Sequence, residues 1–284
     1  MTTPEVLRYT AFSSRPEGGN PAGVVLDAGA LDARDMQRIA AEVDYAETAF
    51  VTATTPDGGH AIRYFSPIAE VPFCGHATVA TAVALAERGR VAGDGAIRFH
   101  TPVGVVAIEV ARDGDGIRAA FTSVEPWVRE LADADLDAVL DLLELTRADL
   151  DDDLPPRLAN TGNTHPVIVL GDQARFDGFA FDPDAVRALM DERGWPATIT
   201  VAFRAAARRF QARNLFPVGR ITEDPATGSA AASFGAYLRS LGAVPVPATV
   251  VIEQGGHVGR PGELTVQIPA SGGITVTGYA VAIP

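Results

Sequence analysis

One short segment places two reactive side chains at the predicted start of a helix. The segment CGHATVATA, residues 74 to 82, holds the single cysteine of the chain, followed by a glycine and a histidine. The small residues after them predict a tightly packed helix with Cys74 and His76 in its first turn. A helix N-terminus favours a thiolate and a neutral imidazole. The segment therefore predicts groups that exchange protons, and a histidine satisfied inside the helix packing is the plainer alternative.

A second segment, EDPATGSAAASFGAYL from Glu223 onward, has the same outline of polar residues followed by small ones. Asp224 and Ser229 are its candidate functional residues. A helix cap formed by the aspartate or by Thr227 explains the pattern of Asp224 equally well. No G-x-S-x-G elbow surrounds Ser229, which excludes a serine-hydrolase site of that type.

Glu47, in the strand-like stretch YAETAFV, is the third candidate. Alternation along this stretch does not decide which face carries its side chain, and an exposed strand carboxylate is the default interpretation. A carboxylate lying against Tyr45 and Phe50 beside a site would instead have a raised pKa and would exchange protons near neutrality.

The remaining patterns exclude several kinds of site. The segment GGNPAG, residues 18 to 23, matches neither a dinucleotide-binding fingerprint nor a P-loop. One cysteine cannot build a thiol-based zinc cage. The five histidines, at positions 60, 76, 100, 165 and 257, include no close pair with the spacing of metal ligands. The sequence therefore predicts no cofactor and no metal.

The composition is that of a globular protein. Of the 284 residues, 47% are hydrophobic, which is enough for one large domain or two of moderate size. The net charge is -13, and the scattered positive residues form no basic stripe of the kind that nucleic-acid binders need. The sequence contains neither a signal-peptide pattern nor an apolar run near the roughly 18 residues of a membrane span. We therefore expect a cytoplasmic protein with neither nucleic acid nor membrane as a partner.

Strand patterns dominate the first part of the chain, and two helices lie between them. The helix LDARDMQRIAAEV follows a predicted cap at Asp32, and the helix GHATVATAVALAERG ends at Gly89 and is predicted to be buried nearly all round. The acidic segment from Leu131 to Asp153 predicts a surface amphipathic helix that joins two lobes and is broken by DDDLPPR. The predicted strands are VLRYTAF, AGVVL, TAFVT, AIRYF, AIRFH, VVAIEV and GIRAAF.

The two halves of the sequence resemble each other. RYFSP begins at position 63 and RNLFP at 213, and the offset of 150 (213 - 63) pairs Cys74 with Asp224. This pattern indicates an internal duplication, with one lobe over residues 1–122 and another over 123–284, whose last strand either stays there or returns to the first lobe. Two such lobes would bring both helix N-termini to one cleft, where amides and helix dipoles bind carboxylates and stabilise enolate-like oxygens.

Six segments together resemble the PhzF-like, or phenazine biosynthesis-like, family. That family belongs with diaminopimelate epimerase and proline racemase in one fold superfamily. The resemblance implies an α/β fold of two pseudo-symmetric lobes, each a mixed sheet curled around a central helix, with the active site between them. It also implies a homodimer. The six segments are GNPAGVVL, AETAFV, RYFSPIAEVPFCGHATVATA, GNTHPVIVL, EDPATGSAAA and EQGGHVGRPGEL.

The resemblance also implies an activity. The family is named for an isomerase that converts trans-2,3-dihydro-3-hydroxyanthranilate without a cofactor or a metal. Its proton-carrying glutamate falls on Glu47, and its histidine, aspartate and serine fall on His76, Asp224 and Ser229. We therefore expect a cofactor-independent isomerase of a small carboxylated metabolite. The residues expected to bind this substrate are Gly75, Gly228, Asn20 and Cys74.

Cys74 has two interpretations. The related epimerases and racemases use two opposed cysteines, which a chain with a single cysteine cannot provide. Either Cys74 and Asp224 form a thiol–carboxylate pair that epimerises an amino-acid-type substrate, or Cys74 is a spectator and Glu47 carries the proton, which we prefer. A non-catalytic metabolite-binding protein of the same fold is a further alternative. Arg260, in GGHVGRPGEL, either contacts an anionic group of the substrate or lies in a surface turn.

Overall fold

The structure is a computed structural model that describes residues 4–91, 95–114, 116–218 and 221–284. The chain folds into two compact units. The first comprises Met1–Thr122 together with Thr277–Pro284, and the second comprises Ser123–Val276. Every helix among the described residues is too short or too polar to cross a bilayer.

The helices and strands follow one another with short connections. Up to Thr122 they are β1 (Leu7–Ala11), β2 (Asn20–Val25), α1 (Ala33–Val43), β3 (Glu47–Thr54), β4 (His60–Phe65), β5 (Glu70–Val71), α2 (Gly75–Glu87), β6 (Gly95–Thr101), β7 (Gly104–Asp113) and β8 (Gly116–Thr122). From there to the C-terminus they are β9 (Trp127–Glu130), α3 (Asp133–Leu142), β10 (Arg157–Asn160), β11 (Thr164–Leu170), α4 (Gln173–Gly178), α5 (Pro183–Arg193), β12 (Ile199–Ala206), β13 (Arg209–Val218), β14 (Ile221–Asp224), α6 (Gly228–Ser240), β15 (Ala248–Gln254), β16 (Gly262–Ile268) and β17 (Thr275–Ala282). Two single 3₁₀ turns lie at Arg147–Asp149 and Gly256–Val258.

The first unit is a sheet curled around α2. Strands β2 and β3 pair in parallel, as do β4 and β6, whereas β1 with β2, β3 with β4, β6 with β7 and β7 with β8 are antiparallel. The C-terminal strand β17 pairs with both β1 and β8 and thereby closes the sheet. Helix α2 packs against β1, β2, β3, β7 and β8, and α1 lies against β3 and β4 through its apolar side.

The sequence of α2 suits this central position. Every residue from His76 to Ala86 is buried, and the alanines, valines and threonines among them let the strands approach from all sides. A helix that is apolar all round is stable only when it is surrounded by protein. The predicted burial and the predicted cap of α1, where the Asp32 side chain accepts from the Asp35 N–H, are both confirmed.

The second unit repeats the plan with different covering helices. Its strands pair in the order β9, β10, β11, β12, β13, β15 and β16, with β14 beside β13. Helix α6 packs against β9, β10, β11 and β16. Helices α3, α4 and α5 cover the other side, where Leu136, Leu140, Phe176, Val186 and Met190 belong to one buried cluster.

The acidic segment forms a shorter helix than the sequence predicts. Helix α3 ends at Leu142, well before DDDLPPR, and Glu144 has a left-handed φ of 53°. Leu143 and Leu145 lie beyond the helix and are buried in the cluster of the second unit. Their packing stops the helix, which the alternation of leucines with carboxylates could not indicate. The expected fold class is nevertheless confirmed, because each unit is a mixed sheet curled around one buried helix.

Candidate active site

The start of α2 holds Cys74 in a fixed position. Cys74 is the N-cap residue, with extended backbone angles, and Gly75 is the first residue of the helix. The Cys74 carbonyl accepts from the Thr78 N–H at 3.0 Å and from the Thr78 hydroxyl at 2.6 Å. Because Thr78 donates its proton there, the hydroxyl of Tyr64, 2.7 Å away, donates to Thr78. These buried bonds tie the helix entrance to strand β4.

Glu47, the first residue of β3, points its carboxylate at this helix entrance. Its Oε2 lies 3.5 Å from Cys74 Sγ and 3.4 Å from His76 Nε2. The Glu47 side chain is 18% exposed and that of His76 is 8% exposed. Cys74 Sγ in turn lies 3.4 Å from His76 Nδ1. Glu47, 27 residues before Cys74, therefore forms one nearly buried cluster with Cys74 and His76 within the first unit.

Burial keeps His76 neutral. The loss of water lowers the pKa of His76 to about 4, and a hydrogen bond to the backbone of Pro21 opposes this only in part. Proline has no N–H, so the Pro21 carbonyl accepts from the imidazole, and the other ring nitrogen is left unprotonated toward the cluster. The neutral ring expected from the sequence is confirmed, although burial is its main cause. Asn20, one residue before Pro21, is fully buried at the start of β2.

The same cluster is where a metal would fit. Glu47, Cys74 and His76 each offer one ligand atom, and these atoms lie within 4.8 Å of one another. No other group of three such residues in the described part of the chain meets this condition. The spacing of the histidines could not indicate this group, because it contains only one histidine.

The entrance to α6 differs from the sequence expectation. Asp224 is the last residue of β14, and the N-cap residue of α6 is Thr227. The Thr227 hydroxyl donates to Asp224 Oδ2 at 2.5 Å. Buried Gln254, at the end of β15, completes the turn, since its amide donates to the Asp224 carbonyl at 2.6 Å and accepts from the Thr227 N–H at 3.1 Å. Asp224 is therefore a residue of the preceding strand and not the cap of the helix.

The positions of the helices also correct the internal alignment. The helices begin at Gly75 and Gly228, an offset of 153 (228 - 75), so Cys74 corresponds to Thr227 and His76 to Ser229. The offset of 150 holds only up to β4 and β13. Four residues separate Phe65 from its partner Glu70, but seven separate Leu215 from its partner Glu223, so the three additional residues precede β14. Small-residue matches in the helices concealed this difference. The expected correspondence of Cys74 with Asp224 is therefore wrong.

Ser229 has a buried partner that the sequence did not reveal. His165, fully buried on β11, has its Nε2 3.2 Å from Ser229 Oγ and its Nδ1 3.1 Å from the Thr198 carbonyl. Burial lowers the pKa of His165 to about 4, so the ring is neutral. A carbonyl only accepts, hence Nδ1 carries the proton and Ser229 donates to Nε2. The one signal in the sequence was a histidine inside the apolar strand THPVIVL.

The turn that contains Arg260 is fixed beside the α6 entrance. Gly255 has a φ of 84°, and a Cβ at that position would lie 2.5 Å from the Pro225 carbonyl oxygen. Only glycine allows this approach. The Arg260 N–H donates to the Gly255 carbonyl at 2.9 Å, which closes the turn. A contact of Arg260 with substrate stays a prediction.

Comparison with known proteins agrees with this architecture. The model of the phenazine biosynthesis-like protein family matches residues 9–283. An uncharacterised isomerase of Deinococcus radiodurans is 36% identical over 95% of this chain and 89% of its own. The trans-2,3-dihydro-3-hydroxyanthranilate isomerase of Pseudomonas aeruginosa is 32% identical over 92% of this chain and 89% of its own.

Solved structures show the same fold. The crystal structure of a phenazine biosynthesis protein of the PhzF family from Bacillus anthracis has a TM-score of 0.88 and 27% identity, over 100% of this chain and 98% of the other. A hydroxyproline epimerase from Agrobacterium vitis, at 15% identity and a TM-score of 0.63 over 98% of this chain and 90% of its own, shares the fold. With a family match over nearly the whole chain, two curled sheets each around a buried helix, and relatives named as isomerases, this chain belongs to the phenazine biosynthesis-like (PhzF) family.

Proposed function

We propose that the protein is a cofactor-independent isomerase that moves a proton along a small carboxylated metabolite similar to trans-2,3-dihydro-3-hydroxyanthranilate. The observation that carries this proposal is the Glu47 carboxylate, nearly buried and 3.4 Å from the neutral His76 ring. A carboxylate with this surrounding is suited to proton exchange at carbon. The name of the Pseudomonas relative supports the substrate class.

In the proposed mechanism Glu47 takes a proton from an acidified carbon and returns it elsewhere on the conjugated system. General acid–base catalysis of this kind contributes about 10²- to 10⁴-fold. The unprotonated nitrogen of neutral His76 accepts a hydrogen bond from Glu47 once the carboxyl carries the proton, and Cys74 is a neighbour that packs against both groups without carrying the proton. The remaining acceleration comes from groups that stabilise the developing negative charge.

The helix entrances supply such groups. The first N–H groups of a helix have no partner within it, so the amides at Gly75 and Gly228 are suited to a carboxylate or enolate oxygen. The Ser229 hydroxyl donates its proton to His165, so the lone pairs of Ser229 Oγ are available to a donor such as a substrate hydroxyl or amino group. We assign substrate binding also to Asp224 and Asn20. A hydroxylated or aminated carboxylic acid is the class that satisfies these groups.

Proton exchange in D₂O tests the proposal. The protein is incubated with trans-2,3-dihydro-3-hydroxyanthranilate and with a panel of carboxylated cyclic dienes and amino acids, and deuterium at carbon is followed by NMR. We expect labelling of a cyclic diene acid that Glu47→Gln abolishes and Cys74→Ala retains in large part. Labelling of an amino-acid α-carbon that requires Cys74 instead would establish the epimerase, and absence of exchange with every compound would favour a binding protein.

The matched control is Glu70→Gln. Glu70 lies in the same unit, but its carboxylate is exposed and paired with Arg63. Its removal changes one carboxylate without touching the cluster, so exchange must persist in this variant. The family resemblance further leads us to propose a homodimer, for which light scattering should give twice the chain mass of 29.7 kDa.

A further inference from the structure

The Glu47–Cys74–His76 cluster has the geometry of a site for a soft divalent ion. Sγ of Cys74 lies 3.5 Å from Glu47 Oε2 and 3.4 or 3.7 Å from the two ring nitrogens of His76. Glu47 Oε2 and His76 Nε2 are 3.4 Å apart. The three ligand atoms thus form a triangle with nearly equal sides.

These sides match the edges of a zinc tetrahedron. With Zn–S near 2.3 Å and Zn–N and Zn–O near 2.0 Å, tetrahedral angles separate sulfur from nitrogen or oxygen by about 3.5 Å and nitrogen from oxygen by about 3.3 Å. Each separation in the cluster lies within a few tenths of an ångström of these values. An ion bound there therefore needs only small movements of the three side chains.

The surroundings prepare two of the ligands. One ring nitrogen of His76 donates its proton to the Pro21 carbonyl, which leaves the other nitrogen unprotonated and able to bind an ion. A hydrogen bond of this kind on the non-ligating nitrogen is typical of metal-binding histidines. Cys74 is the N-cap of α2, a position that favours the thiolate. Its backbone is held by Thr78, which in turn accepts from Tyr64. The ligands are therefore presented from a rigid helix entrance and one strand.

We propose that Zn²⁺ binds Glu47, Cys74 and His76, with a water molecule as the fourth ligand, and that the bound ion inhibits the enzyme. Binding displaces the thiol proton to the buffer and forms a Zn–thiolate bond, with no change in oxidation state. The inhibition rests on the proposed function, because the ion occupies the carboxylate that would carry the proton. The binding itself does not depend on that function. Thiolate and imidazole ligands select Zn²⁺ or Co²⁺ over Mg²⁺ and Ca²⁺.

Direct binding of Zn²⁺ and Co²⁺ tests the site without any substrate. Chelator-treated protein is titrated with Zn²⁺ against a chromophoric competitor, and with Co²⁺ while the absorption spectrum is recorded. We expect one ion per chain at micromolar or tighter affinity, and a thiolate-to-Co²⁺ charge-transfer band. Excess Mg²⁺ should displace neither ion. Absence of saturable binding, or a Co²⁺ spectrum without the thiolate band, would overturn the proposal.

Two variants locate the ion. Cys74→Ala should lose the charge-transfer band and weaken Zn²⁺ binding at least about 100-fold. His100→Ala is the matched control, since His100 pairs with Asp57 on the surface and its loss should change neither readout. Circular dichroism verifies that both variants are folded. Zn²⁺ affinity unchanged in folded Cys74→Ala would place the ion elsewhere and refute the site.

Proton exchange measured with and without Zn²⁺ distinguishes failure of the metal site from failure of the proposed function. Zn²⁺ should abolish proton exchange at concentrations that match its dissociation constant, and a chelator should restore it. Zn²⁺ that binds at the cluster while exchange continues would remove Glu47 from the proton-transfer step and would end the inhibitory role. If metal-free protein shows no exchange while the Co²⁺-loaded protein shows the charge-transfer band, the proposed substrate class is rejected and the metal site is retained.

Discussion

The two units share a strand–turn–helix framework and differ at the first residues of the helix. In the first unit Cys74, Gly75 and His76 meet a carboxylate from β3. In the second unit Thr227, Gly228 and Ser229 meet a neutral histidine from β11 and an amide from β15. The shared glycine is the first residue of both helices, while the residues on both sides of it are acid–base groups in the first unit and hydroxyl groups in the second.

The two units also differ in the burial of one ion pair that each of them contains. Arg63 binds Glu70 through two bonds of 2.7 Å, with side chains 33% and 39% exposed. Arg213 binds Glu223 at the corresponding place, but both side chains are only 8% exposed. Arg213 also donates to the carbonyls of Phe176 and Phe179. The same type of ion pair is thus part of the core in the second unit and lies at the surface in the first.

The largest expected effect is on proton transfer at the first helix entrance. Glu47→Gln should lower kcat/KM for deuterium exchange by about 10³- to 10⁴-fold, because the amide neither accepts nor returns a proton at neutral pH. Exchange is measured by NMR under saturating and limiting substrate. If Glu47→Gln retains more than about a tenth of the activity, the carboxylate is not the proton carrier and the assigned difference between the two entrances fails.

The second effect compares the two ion pairs. Glu223→Gln should lower the free energy of unfolding by about 3 to 5 kcal/mol, because it leaves a buried guanidinium without its counter-charge. Glu70→Gln, at the exposed pair, should cost no more than about 1 kcal/mol. Urea denaturation at pH 7 measures both values. Equal losses in the two variants would show that burial does not separate the pairs.

The third effect is a pH dependence of stability that arises from His165. Burial lowers its pKa to about 4, against about 6.5 in an unfolded chain. Between these values the unfolded chain binds a proton that the folded protein does not, so the free energy of unfolding falls as the pH decreases from about 6.5 towards 4. The slope is at most about 1.4 kcal/mol per pH unit.

Urea denaturation of the wild type and of His165→Gln at pH 6.5 and pH 5 isolates this contribution. The wild type should lose about 1.6 kcal/mol more than the variant between the two pH values. The other histidines and the carboxylates are common to both proteins and cancel in the difference. Identical pH profiles would mean that His165 titrates normally in the folded protein.

The smallest effect concerns His165 as a positioning residue for Ser229. His165→Asn should reduce kcat by about 10-fold, the value of one hydrogen bond of about 1.4 kcal/mol, with a smaller change in KM. In the Ser229→Ala background the same substitution should add little, because its partner is already absent. Multiplicative losses in the double variant would show that His165 acts independently of Ser229.

Local sequence patterns predicted most of the helices and strands. Tertiary contacts determine the features that these patterns did not predict. The Asp32 cap and the all-round burial of α2 follow from neighbouring residues, so the sequence was sufficient for both. Helix α3 ends early because Leu143 and Leu145 pack into a cluster built by distant helices. The candidate residues Glu47, Cys74 and His76 were identified from the sequence, but their mutual distances depend on which strand lies beside the helix.

Residues from distant strands were the ones that sequence reasoning could not find. His165 and Gln254 each lie in an apolar strand, where a single polar residue has no local pattern to indicate its partner. The correspondence of Cys74 with Thr227 likewise requires the helix starts, because three additional residues precede β14 in the second unit.

The strand that completes the first unit is synthesised long after the other strands of that unit. From Thr277 onward, β17 belongs to the N-terminal unit, and Tyr9 of β1 is in register with Ala282. While the ribosome is still translating, the N-terminal unit therefore waits with two open sheet edges, and the C-terminal unit has its own strands before its neighbour does. Loss of β17 would consequently leave both edges unpaired and damage the unit that contains the first strand of the chain.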